Sequence, residues 1–205
     1  MSLDLERAAA ALQRGDDADF RRLVQGGVRD RRTGDGSTAL RIAVDCRRPD
    51  LVAQCLRHGA SADGAADVGH TPLTSALDDG DSERVIGRAL LDAGAAPAGL
   101  TPDDRHLVPP VPLAVAAARG ASAAIAALLD AGAAVDQREH EDGETALMIA
   151  ARQGHLEAAH LLLARGADPT LRDRTVDQTA LDIAEGSPVP DAAAVARLLR
   201  AATRG

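Results

Sequence analysis

The side chains of this chain that could do chemistry are six histidines, two cysteines, a handful of serines and many carboxylates. His58, His70, His106, His140, His155 and His160 include neither a His-x-x-x-His pair nor H-E-x-x-H. Those spacings would set two imidazoles on one helical face for a zinc ion. His155 and His160 stand five apart, which on a helix turns them to different faces. Cys46 and Cys55 are too few for a disulfide framework and do not form C-x-x-C. Cys55 lies on an apolar stripe between Leu51 and Leu56 and reads as a small core residue. Cys46 stands beside Arg47 and Arg48 and reads as an exposed thiol whose pKa those cations lower.

Nucleophile and phosphate motifs fail in the same way. Ser37, Ser61, Ser75, Ser82, Ser122 and Ser187 include no G-x-S-x-G elbow. Gly34-Asp35-Gly36 has no downstream motif and fits a turn. Asp16-Asp17 and Asp78-Asp79-Gly80-Asp81 fall where one helix hands over to the next, so their carboxylates read as caps for the following helix. Asp63, Asp67, Asp103 and Asp104 read as solvated loop residues. We therefore expect no catalytic residue, no metal and no cofactor.

Composition narrows the field further. All 23 cationic residues are Arg, Phe20 is the one aromatic residue, and Lys, Asn, Trp and Tyr do not occur. Without Lys there is no P-loop lysine and no Schiff base. Without aromatic rings beyond Phe20, bases have nothing to stack on. Without Asn there is no N-glycosylation acceptor. The formal net charge of −8 argues against a phosphate backbone as ligand and is compatible with a basic protein partner. Preference for Ala, Arg, Gly and Asp over Lys, Asn, Phe and Tyr is what GC-rich coding produces, so a bacterial source is expected. No apolar run reaches the ~20 residues of a membrane span. The start, Met1-Ser2-Leu3-Asp4-Leu5-Glu6, has no signal-peptide pattern, and a cytoplasmic location is expected.

Periodicity is the strongest signal. Thr38-Ala39-Leu40 recurs as Thr71-Pro72-Leu73, Val111-Pro112-Leu113, Thr145-Ala146-Leu147 and Thr179-Ala180-Leu181, so the leucines are spaced by 33, 40, 34 and 34 residues. Gly59-Ala60, Gly94-Ala95, Gly132-Ala133 and Gly166-Ala167 recur downstream of the first four. The most regular copy runs from Asp142 through Thr145-Ala146-Leu147-Met148-Ile149-Ala150-Ala151-Arg152-Gln153-Gly154-His155 to Gly166-Ala167-Asp168. This pattern resembles the ankyrin repeat, a unit of about 33 residues with a T-P-L-H-x-A core.

Each residue type fits that unit physically. Thr caps the first helix, and Pro72 and Pro112 suit its first turn. Leu40, Leu73, Leu113, Leu147 and Leu181 point inward. Ala43, Ala76, Ala116, Ala150 and Ala184 let neighbouring helices approach. Gly80, Gly120 and Gly154 end the first helix, and Gly59, Gly94, Gly132 and Gly166 end the second. Ile125, Leu128 and Leu129 exemplify the second helix's apolar stripe. The expected fold is an all-α solenoid of helix-turn-helix units joined by β-turn loops, forming a single domain over 1–205. Its N-terminal cap covers about 3–28, its repeats about 35–63, 68–96, 111–136 and 142–170, and its C-terminal cap about 177–202.

Three departures are visible. The motif histidine is replaced by Arg41, Thr74, Ala114, Met148 and Asp182, which removes a hydrogen-bond donor per repeat. Arg47 replaces the first turn glycine, so a rebuilt turn is expected there. An insertion over about 97–110, with four prolines, lengthens one connection, and insertions in solenoids map to one face, often the binding face.

The resemblance implies a non-enzymatic module that binds a partner protein on a concave face of turn tips and first helices. Candidate partner-binding residues are Arg41, Asp45, Thr74, Asp78, Glu144 and Arg152, with Arg105 and His106 on the insertion. With Arg as the available hot-spot residue, the interface is expected to be polar and charge-steered. A monomeric adaptor or scaffold fits best, and a dedicated inhibitor or immunity-type protein masking one enzyme is the alternative. Nucleic acid and membrane are not expected partners.

Overall fold

The structure is a computed structural model, and it describes residues 3–26, 33, 37–64, 71–77, 81–99 and 110–203. Among them are twelve α-helices and two isolated antiparallel bridges. They fall into two compact units.

The first unit holds α1 (Leu3–Gln13), α2 (Ala18–Gln25), α3 (Ala39–Asp45), α4 (Pro49–Arg57), α5 (Pro72–Ser75) and α6 (Asp81–Asp92). Successive helices pair as α1/α2, α3/α4 and α5/α6. The first member of each pair packs on the next first member, and the second on the next second, giving two helical layers. The second unit repeats this design with α7 (Pro112–Ala118), α8 (Ser122–Asp130), α9 (Ala146–Gln153), α10 (Leu156–Ala164), α11 (Ala180–Gly186) and α12 (Ala192–Ala202).

The core is thin and built largely of Leu and Ala. Leu40, Leu73, Leu113 and Leu147 are buried, as are Ala43, Ala76, Ala116, Ala150 and Ala184. Alanine at those five positions removes bulk on the first helices, so helices that pack within each unit approach closely. Leu181 departs from this and is half-buried, and Leu129 is half-buried too.

Local chemistry explains where the first helices start. Thr38, Thr71, Thr145 and Thr179 stand in extended conformation, and each hydroxyl accepts from the backbone N–H three residues on. Val111 cannot do so and leaves α7 without a side-chain cap. The residues that replace the motif histidine restore a second bond in other ways. Thr145 N–H donates to Met148 Sδ at 3.4 Å, and Thr179 N–H to Asp182 Oδ2 at 2.9 Å. Thr74 Oγ1 donates to the Thr71 carbonyl at 3.0 Å. The expected loss of one bond per repeat is therefore offset in these three.

The expected rebuilding of the turn at Arg47 does not occur. Arg47 takes up the left-handed conformation itself, at φ 53°, and its N–H and that of Arg48 close onto Val44 and Ala43 carbonyls. Gly120 and Gly154 hold the same conformation in their turns, whereas Gly80 lies outside the described residues. The four glycines that end second helices also have positive φ. In the C-terminal pair no such glycine is used: α11 runs into extended Ser187, whose hydroxyl donates to the Arg152 carbonyl at 2.8 Å.

Candidate interaction surface

In the second unit, hairpin loops precede α9 and α11, marked by the bridges Arg138–Thr145 and Arg172–Thr179. Each hairpin is organised by a carboxylate that gathers backbone donors. Glu139 accepts from the N–H groups of Glu141 and Asp142. Asp173 accepts from those of Thr175, Val176, Asp177 and Gln178, which hold its carboxyl below the usual range with Val176 contributing most. The Arg138 guanidinium donates to the Gly143 carbonyl at 2.6 Å and the Arg172 carbonyl at 2.7 Å, tying one hairpin to the next. Arg174 N–H donates to the Asp142 carbonyl and its side chain lies over Gly143. These are fixed hairpins, and Val176 stands at the second one, 67% exposed.

The eight candidate residues divide three ways. Arg41 and Asp45 come together on α3, where Nε lies 2.9 Å from both carboxylate oxygens one helical turn on. Asp45 is exposed and Arg41 half-buried. Thr74 and Glu144 are corrections. Thr74 is 0% exposed because its hydroxyl turns back on its own helix start. Glu144 is 4% exposed, with its carboxylate ion-paired to Arg152, so Arg152 is the member of that pair that faces solvent. Asp78, Arg105 and His106 lie outside the described residues, as do 100–109 of the expected insertion.

Sequence reasoning missed the half-exposed apolar positions of the first helices, Val115 on α7 and Ile149 on α9. They sit 34 residues apart at one repeat position on helices that pack together. The alignment by leucine spacing contains this signal.

Other side chains resolve into structural roles. His155 lies at 3.2 Å from the Ala118 carbonyl, across to the preceding helix pair. Asp63 is not simply solvated: it accepts the Ala96 N–H at 2.8 Å, as Asp136 accepts the Asp168 N–H at 3.1 Å. Asp16 caps Ala18 N–H, while Asp17 joins an ion cluster in which Arg21 and Arg48 each contact both Asp17 and Asp50. Asp67, Asp79, Asp103 and Asp104 lie outside the described residues.

Cys46 corrects a further expectation. It is half-buried, and desolvation, reinforced by Asp45, raises its pKa more than Arg48 lowers it. Cys55 is in the core, where burial pushes its thiol up to about 12. Among the described residues no three His, Cys, Asp or Glu side chains gather as a metal-holding group, and no helix is long and apolar enough to cross a membrane.

Comparison with known proteins places this geometry. Residues 98–173 match the family described as ankyrin repeats (3 copies). Over 139 residues the chain is 33% identical to the ankyrin repeat and KH domain-containing protein mask-1 of Caenorhabditis elegans. That match covers 67% of this chain and only 5% of the relative. Ankyrin repeats as a class mediate contacts between proteins and are typically non-enzymatic. With helix pairs stacked in two layers, capping threonines and hairpins ahead of first helices, the fold is that of an all-α ankyrin-repeat solenoid, and residues 98–173 are ankyrin repeats.

Proposed function

We propose that this chain is a non-enzymatic adaptor or scaffold that binds a partner protein through the faces made by its hairpin turns and first helices. The observation that carries the reading is the division of labour among side chains. Carboxylates and guanidiniums at the hairpins are spent on backbone groups and on each other, which makes rigid supports. The Arg41–Asp45 pair on α3 and Arg152 on α9 stand on first-helix surfaces, as do the half-exposed Val115 on α7 and Ile149 on α9. A rigid scaffold with polar and apolar groups along its first helices loses little conformational entropy on binding. Asp78, Arg105 and His106 stay in the candidate set on sequence grounds. So do the single repeat array with its caps, the monomeric state, the bacterial cytoplasm and a partner with basic patches.

A dedicated inhibitor or immunity-type protein masking one enzyme is the second reading. It differs in predicting one stoichiometric complex rather than several contacts. Affinity capture from lysate of the source organism, at low and at physiological salt, tests both. Salt-sensitive capture of several partners is expected on the first reading and of one stoichiometric partner on the second, and capture of nothing at either salt would sink the proposal.

A further inference from the structure

The carboxylates of the second unit's second hairpin are already engaged within it. Asp173 is buried and gathers four backbone N–H groups, and Asp177 pairs with Arg172 at 3.6 Å. Between the bridged residues Arg172 and Thr179, Arg174 and Val176 stay exposed.

Arg174 is fixed in place yet unpaired. Its backbone N–H donates to the Asp142 carbonyl at 2.9 Å. Its stem lies over the buried Gly143, so close that a Cβ there would come within 2.6 Å of Cδ and 3.0 Å of Nε. Among the described residues no side chain forms a hydrogen bond or ion pair with its guanidinium, and Asp142 offers it a backbone carbonyl only. The Arg138 guanidinium borders the same glycine, 2.6 Å from its carbonyl, and adds positive charge there. Val176 is held by its own N–H, which donates to Asp173 at 2.7 Å, so its side chain is presented from a fixed backbone. Both groups are ordered before any ligand arrives, which lowers the entropy lost on binding.

We infer that this hairpin takes an acidic residue and a neighbouring aliphatic residue of the partner protein, the carboxylate on the Arg174 guanidinium and the aliphatic side chain on Val176. In a chain of net charge −8, a fixed and unpaired cation is where a partner's acidic group is complementary. The exposed carboxylates of Glu141 and Asp142 on the preceding hairpin disfavour a dianionic phosphate, which leaves a singly charged carboxylate as the ligand. This rests on the partner-binding reading above and adds one acidic contact to a partner proposed to carry basic patches.

The test is a titration of the full, isotope-labelled chain with acetyl-Gly-Glu-Leu-Gly-amide and with its Gln counterpart, read at the Arg174 Nε–H and the Val176 amide. Saturable shifts at both are expected, with the Gln peptide about fivefold weaker, as one exposed ion pair would give. Arg174→Gln removes the difference between the peptides, and Val176→Thr weakens both. Equal response to the two peptides, an equal shift at the exposed Arg197 on α12, or no saturable response overturns the inference. An Arg174 Nε–H that already titrates at about pH 4 in the free chain means that Glu141 or Asp142 occupies it, and overturns the inference as well. Partner capture separates the two readings. A partner held equally by wild type, Arg174→Gln and Val176→Thr overturns the hairpin contact and leaves partner binding standing. A wild type that captures nothing removes partner binding, and the peptide titration still decides the hairpin.

Discussion

Arg47 carries a cost that its counterparts avoid. It holds φ 53° where Gly120 and Gly154 hold 66° and 74°. A side chain in left-handed conformation costs roughly 1 kcal/mol, partly offset by the greater freedom glycine has when unfolded. Arg47→Gly is expected to stabilise the chain by about 0.5 kcal/mol in urea denaturation. Gly120 is constrained twice, because a Cβ there would also meet His155 Nδ1 at 2.8 Å and Cγ at 2.9 Å. Gly120→Ala is expected to cost about 2 kcal/mol in the same assay, since both backbone and ring must give. Asp17 supplies a pH dependence. Arg21 first, then Arg48, hold its carboxyl down to about 2 from an ordinary 3.8. Its stabilisation is complete above the unfolded value and disappears as pH falls through about 2. In acid titrations followed by circular dichroism, Asp17→Asn should show a shallower loss of stability between pH 4 and about 2 than wild type.

Four of the first helices, α3, α7, α9 and α11, are seven or eight residues, too short to persist alone, so their caps and their burial decide whether they exist. Thr145→Ala removes the hydroxyl that accepts from Met148 N–H and is expected to cost about 1 kcal/mol by thermal melting. Leu147 is fully buried at the centre of the second unit's first-helix layer. Leu147→Ala is expected to cost about 2–5 kcal/mol. Because α9 packs on both α7 and α11, hydrogen exchange should rise in all three helices. Exchange confined to α9 would contradict that coupling.

The chain as an array carries a formal net charge of −8, with arginine supplying every fixed cation. Without Trp or Tyr to anchor an interface, the proposed association is expected to be charge-steered, and salt screens such steering. Capture of the partner is expected to weaken between low and physiological ionic strength. Capture that is insensitive to salt would instead point to the half-exposed Val115 and Ile149 as the principal contacts.

Much of the fold is legible in the sequence because a repeat is a local object. Leucines at 33- or 34-residue spacing, alanines three residues later, capping threonines and stop glycines each act within one helix pair or against the next. Cys55 could be placed in the core for that reason. What the sequence could not rank was competition between neighbours. Cations beside Cys46 are adjacent in the chain, but desolvation depends on what packs against it, and desolvation wins. Glu144 and Thr74 belong to polar residue types near helix starts, yet one is covered by the Arg152 side chain and the other folds onto its own helix start. Asp63 reaches a backbone N–H one repeat away. Periodicity fixes which residues share a repeat position, whereas burial and pairing depend on atoms brought together from different repeats, and only tertiary packing decides those.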